Sequence, residues 1–267
     1  MTDRALQDQA QPLADGDARH PPRLAIFGDS HYACVRMAHQ QGLASLDGLS
    51  VEYWGHVGKR FRFLDYRDDA IVPTDDYTAE RFAKFNDRGR RCLPVADFDA
   101  VAFVGCRFYV TPLFFQLAQA QADGQLVTSG LRARLARDLL TNSSTYDYAR
   151  RFAATGRARI LFSPASLPTA GMTHGWEAAF PAATALDAGT AADLWDRLAQ
   201  TMAEDGVRLI AQPEPSRQGG LWTRPDYATA DHQTSGDAEH KNPAYGALVL
   251  DRMLDQLADL RPAMAKA

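Results

Sequence analysis

The chain is poor in cysteine. Only Cys34, Cys92 and Cys106 occur in 267 residues, an odd number with no CxxC pair. A disulfide framework is therefore excluded as the main support, and a reducing, cytoplasmic setting is expected. No apolar run approaches the ~18 residues that suggest a membrane span. The opening stretch, MTDRALQDQAQPLADGDARHPP, lacks the apolar centre of a signal peptide. Positive charge is not in excess either: 29 Lys and Arg face 33 Asp and Glu, a net charge of −4. No basic field exists to draw the chain onto nucleic acid or an anionic membrane, so neither is an expected partner. The 7 histidines form no HExxH and pair with no cysteine, and no metal site is expected. Gly58-Lys59 is followed by Arg60 where a phosphate-binding loop needs Ser or Thr, which excludes that motif.

What is present is an ordinary globular composition, 46% hydrophobic and 23% charged. The length is enough to bury a large core without a staple. Residues 1–22 are expected to be a disordered leader, closed by Pro21-Pro22. Residues 23–262 are expected to form a single domain, with an insertion around 59–98 that is charged and has little regular structure.

Short apolar runs recur, each ending at a turn residue. Arg23–Phe27 stops at Gly28, and Ser50–Trp54 at Gly55. Asp99–Val104 stops at Gly105, Arg159–Phe162 at Ser163-Pro164, and Val207–Ala211 at Pro213. These read as buried strands. Helical patterns lie between them. A helix is expected from Tyr32 to about Leu43, with Gly42 at its end. Leu131, Leu135 and Leu139 share one helix face, as do Leu194, Leu198 and Met202. Leu250, Met253, Leu254 and Leu257 mark a last helix. Alternating strands and helices predict an α/β fold with a five-stranded parallel sheet between helical layers. Ligands of such sheets sit at the carboxyl ends of the strands. Residues 212–236 form a long Pro/Gly-rich loop at that edge, carrying Trp222 and Tyr227, two aromatics able to contact a ligand.

The first strand runs into Gly28-Asp29-Ser30-His31. A serine at this turn either caps the next helix or serves as a nucleophile whose oxyanion is favoured by the helix N-terminus. Far downstream stands Gly236-Asp237-Ala238-Glu239-His240-Lys241-Asn242-Pro243. Asn242 fits an N-cap and Pro243 the first helical turn. Asp237 can orient the imidazole of His240, and His240 can take the proton of Ser30. His232 is a rival base without the following cap. His31 is a candidate for lining the pocket. Arg132, Arg134 and Arg137 read as a solvated helix face.

A strand-terminal GDS near the start and a DxxH before the last helix together resemble the SGNH (GDSL-like) hydrolase family, in its GDSH branch. The likeness spans roughly residues 23–260. It implies a three-layer α/β/α sandwich of flavodoxin-like character, with Ser30 as nucleophile, His240 as base and Asp237 as its orienter. It also implies an oxyanion hole completed by a glycine after the second strand, first Gly58 and second Gly55, and by an asparagine after the third. That asparagine is missing: the chain reads Gly105-Cys106-Arg107 there. Arg107 is the candidate substitute, at the oxyanion or at an acidic part of a substrate. The resemblance implies a serine esterase for short acyl esters, acetyl among them, on a carbohydrate or similar polar carrier, with no cofactor. An O-acyltransferase with the same residues, or a binding protein on a degenerate hydrolase scaffold, are the alternatives.

Overall fold

The computed structural model describes residues 20–172 and 175–260. The expected leader lies, up to residue 19, outside the described residues, as does everything after residue 260. Five parallel strands form the central sheet: β1 (Arg23–Gly28), β2 (Ser50–Gly55), β6 (Ala100–Tyr109), β7 (Arg159–Ala165) and β8 (Val207–Leu209). Their spatial order is β2-β1-β6-β7-β8. Counting only these strands, that order is 2-1-3-4-5, the flavodoxin-like arrangement. The protein is thus an α/β sandwich of flavodoxin-like type.

Alternation along β1 sets the two layers. Leu24 and Ile26 point to one face, where they join Val35 and Ala38 of α1 (Tyr32–Gln40) and Val249, Leu250 and Met253 of α9 (Pro243–Gln256). Ala25 and Phe27 point to the other face. There they meet Phe82 of α2 (Asp76–Phe85) and a larger core from α3 (Thr111–Ala122), α4 (Ser129–Thr141), α5 (Ser144–Ala154) and α7 (Ala188–Glu204). Helices α1 and α9 lie close enough that a Cβ on Gly246 would sit 2.1 Å from the Cys34 carbonyl oxygen, so the backbone contact requires glycine. Among the described residues no helix is long and apolar enough to cross a membrane.

The leucine stripe of α4 is the margin of its core face, not the centre. Ala136 and Leu140 are buried, Leu135 and Leu139 half-buried, and Leu131 is exposed. The burial of α4 therefore comes from a neighbouring row of the helix. Arg132 pairs with Asp193 at 2.6 Å, Arg134 with Asp138 at 2.8 Å and Arg137 with Glu204 at 3.3 Å, so this face is ion-paired.

The stretch around 59–98 is more regular than its charge pattern suggests. It carries a 3₁₀ turn (Gly58–Phe63), α2, and a small antiparallel sheet of β3 (Leu64–Arg67), β4 (Ala70–Pro73) and β5 (Leu93–Pro94). The β3–β4 hairpin turns on Asp68 and Asp69, both with positive φ, in a two-residue loop. Asp75 caps α2 by accepting from the Thr78 N–H. Residues 212–236 likewise hold a short hairpin, β9 (Arg217–Gln218) with β10 (Trp222–Thr223), and one turn of helix, α8 (His232–Ser235).

Candidate active site

Strand β1 ends at Gly28 and α1 begins at Tyr32, leaving Asp29, Ser30 and His31 to make the turn. The turn is closed by main-chain bonds from Tyr32 N–H to the Asp29 carbonyl and from Ala33 N–H to the Ser30 carbonyl. The Ser30 side chain does not cap α1. It is exposed at the sheet edge, and its Oγ lies 2.7 Å from His240 Nε2. On the other side of the ring, His240 Nδ1 lies 2.8 Å from Asp237 Oδ2. A carboxylate only accepts, so Nδ1 carries the proton and Nε2 is free to accept from the serine hydroxyl. Ser30, His240 and Asp237 thus form one continuous hydrogen-bonded line.

The loop holding Asp237 and His240 is fixed from several sides. Asp237 Oδ1 accepts from the main-chain N–H groups of Glu239 and His240, both at 3.0 Å. Burial pushes the Asp237 carboxyl up, but these bonds and the imidazole outweigh it and hold the group below its usual value. The Ala238 carbonyl accepts from Thr169 N–H at 2.8 Å and from Lys241 Nζ at 2.9 Å. The Glu239 carbonyl accepts from Lys241 Nζ at 2.7 Å and from Ser166 Oγ at 3.0 Å. Lys241 is buried, and burial brings its ammonium down to about 8. Asn242 then caps α9, accepting from Tyr245 N–H at 3.1 Å, with Pro243 in the first turn.

Asp29 has a role that its place beside the serine does not disclose. It is buried, and accepts from His31 N–H at 3.1 Å and from Arg107 N–H at 2.9 Å. It ties the nucleophile turn to β6 where that strand bulges. Gly105, Cys106 and Arg107 are consecutive left-handed residues, with φ of +70, +52 and +59. For two non-glycine residues this conformation carries a cost of order 1 kcal/mol each, the kind of strain that clusters at functional sites. A Cβ on Gly105 would lie 2.5 Å from Asp29 Oδ1, so only glycine lets the carboxylate fit.

The remaining candidates divide. His31 is buried, its ring stacked on His240 at 5.2 Å between centroids, and burial pushes its pKa down despite the nearby Asp29. It thus packs as a neutral ring beside the imidazole. Gly58 opens the 3₁₀ turn: a Cβ there would lie 3.2 Å from Arg107 Cδ and 3.8 Å from Asp29 Cβ. Gly55 does something else. Its missing side chain makes room for Tyr32, whose hydroxyl would lie 2.3 Å from a Cβ. Arg107 spends its main-chain N–H on Asp29, and its guanidinium lies over Tyr109, 3.3 Å from the hydroxyl. Trp222 anchors its loop instead of contacting the serine: it packs edge-on against Phe115 and donates to the Thr184 carbonyl at 3.3 Å. Tyr227 packs edge-on against Tyr245 of α9. His232 is bonded to the Thr229 carbonyl within its own loop.

His56 lies between the second strand and Gly58, buried against Phe61 and Phe82, with its N–H donating to the Gly28 carbonyl at 2.9 Å. Burial lowers its pKa from 6.5 to about 4. Between these values the unfolded chain takes up a proton that the folded protein refuses, so stability is lost as pH falls through this window. The expected loss is about 3 kcal/mol by pH 4. Thermal melts of the wild type and of His56→Leu across pH 4–7 check this, with a shallower acid limb expected in the variant. Parallel limbs would refute it.

No family model and no curated protein matches this chain. Solved structures similar to it at low level include the following two. One is a DUF4886 family protein from Bacteroides uniformis, with TM-score 0.39 and 9% identity, covering 92% of this chain and 88% of the other. The second is an extracellular lipase from Streptomyces rimosus, with TM-score 0.40 and 15% identity, covering 86% of this chain and 98% of the other. At these scores neither likeness assigns an activity.

Proposed function

We propose that the protein is a serine ester hydrolase working through an acyl-enzyme. The observation that carries this reading is the 2.7 Å contact of Ser30 Oγ with His240 Nε2, backed by Asp237 on Nδ1. His240 takes the Ser30 proton as Oγ bonds to the ester carbonyl carbon. The same proton then passes to the alcohol oxygen as the carbon–oxygen bond breaks. Water, deprotonated by His240, releases the acid and restores Ser30. His31 supports this cycle by staying neutral, because a cation stacked on His240 would oppose the imidazolium that forms at each step.

The oxyanion falls to two main-chain donors and the guanidinium of Arg107, whose own main-chain N–H is held by Asp29. The Ser30 N–H stands at the start of α1, where the helix N-terminus favours negative charge. Gly58 contributes the first N–H of its turn, which has no partner within that turn. Arg107 lies alongside Gly58 as the third donor in place of the absent asparagine. The substrate in this reading is a short acyl ester, acetyl among them, on a carbohydrate or similar polar carrier.

Incubation with p-nitrophenyl acetate and with a fluorophosphonate probe tests the reading. Release of nitrophenolate and a single adduct on Ser30 are expected. An adduct on Ser163 or Ser235, or no turnover and no adduct, would overturn it.

A further inference from the structure

An open groove of about 900 Å³ begins at the oxyanion candidates Gly58 and Arg107. It meets the site at Gly58, Arg107 and Tyr109, and Tyr109 lies edge-on to His31 at 5.8 Å. From there it passes between the 3₁₀ turn and helix α4. Its two walls differ. One carries Lys59, Arg62 and Arg107; the other carries Leu113, Leu135 and Leu139. Leu135 and Leu139 of α4, half-buried at the margin of the core, keep an apolar surface on this groove.

The charges in this groove are unbalanced. Lys59, Arg62 and Arg107 are all exposed, and among the described residues none forms an ion pair. Arg62 and Arg107 rest instead on the rings of Phe63 and Tyr109. Two carboxylates lie near these cations, Asp138 on the α4 side of the groove and Asp29 beneath Gly58, and both are engaged. Asp138 is paired with Arg134 at 2.8 Å, and Asp29 is buried under two main-chain N–H bonds. The charge of Glu239, beside His240, acts on Tyr109 and adds to the burial that lifts the phenol to about 12. In a chain of net charge −4, three cations along one wall of a groove with leucines on the other make a local positive field that meets the site at Arg107. Such a field favours anionic ligands and is screened by salt.

Resting on the hydrolase reading above, we propose that the ester attacked by Ser30 carries an anionic group, held in this groove by Lys59 and Arg62 with Arg107 at its mouth, and an apolar segment against the leucines of α4.

Matched ester pairs test it at low and high salt. With the anion on the acyl side, mono-p-nitrophenyl glutarate is compared with its methyl ester. With the anion on the alcohol side, 4-acetoxybenzoate is compared with its methyl ester. The expected result is a kcat/KM at least tenfold higher for the anionic member of one pair, a preference that falls as salt is raised. The Lys59→Gln/Arg62→Gln double variant is expected to lose most of that ratio, and the pair that shows it tells which side of the ester faces the groove. Equal rates within both pairs, or a preference that survives the double variant, would overturn the proposal while leaving the hydrolase intact. Titration calorimetry with the inert amide N-phenylglutaramate separates the two readings. Binding that the double variant weakens at least tenfold, in a protein that turns over no ester, keeps the anion groove and removes the hydrolase. No binding and no anionic preference removes the groove.

Discussion

Replacing Ser30 by alanine is expected to abolish ester hydrolysis, with a loss of roughly 10⁴–10⁶ in kcat. Among the described residues the hydroxyl bonded to His240 Nε2 is that of Ser30, at 2.7 Å. The fold should not notice the change. Ser30 is exposed, its Oγ caps no helix, and the turn is held by main-chain bonds and by Asp29. Stability should therefore stay within about 0.5 kcal/mol of wild type. The pairing of full activity loss with an unchanged melting temperature is the informative result. If the alanine protein keeps more than a hundredth of the wild-type turnover, Ser30 is not the nucleophile. A large drop in melting temperature would instead assign Ser30 a structural part.

The proximity of Ser30 and His240, 210 residues apart, was legible for a topological reason. Both segments follow strands of a parallel sheet, and every such connection leaves from the same edge. The run Arg23–Phe27 and the cap at Asn242-Pro243 locate that edge without any knowledge of packing. The supports of the site were not legible, because each depends on a contact that no local spacing encodes. Asp29 matters through the Arg107 N–H, 78 positions away, and that bond exists only because β6 bulges through three left-handed residues. Gly105 hints at such a bulge; Cys106 and Arg107 disfavour it. Lys241 reads as a surface charge beside a cap, yet it is buried and clamps the two carbonyls between Asp237 and His240. The β3–β4 hairpin was missed because Asp68-Asp69 makes its turn where Asn-Gly or Asp-Gly is the usual signal. The loop position of Trp222 points to the site, but the neighbouring core decides its packing on Phe115.

Asp237→Asn is expected to lower kcat by about 10⁴ with little change in KM, although it alters one atom. The reason lies in how the carboxylate is held. Oδ1 accepts two main-chain N–H bonds, from Glu239 and His240, and Oδ2 accepts from His240 Nδ1. An asparagine keeps its oxygen where the two N–H groups require an acceptor, because leaving them unpaired costs about 1–3 kcal/mol. Its NH2 group must then face Nδ1. A donor there removes the proton from Nδ1 and places it on Nε2. Nε2–H cannot accept from Ser30, so the hydroxyl loses its base while the loop and the hydrogen-bond count are preserved. The lost negative charge also leaves the imidazolium without a counter-ion in each transition state. Steady-state kinetics measure the loss, and nitrogen-15 shifts of His240 report the tautomer directly. A variant with Nε2 protonated and activity within tenfold of wild type would show that His240 is not the base. One with Nδ1 still protonated and low activity would move the role of Asp237 from tautomer control to charge alone.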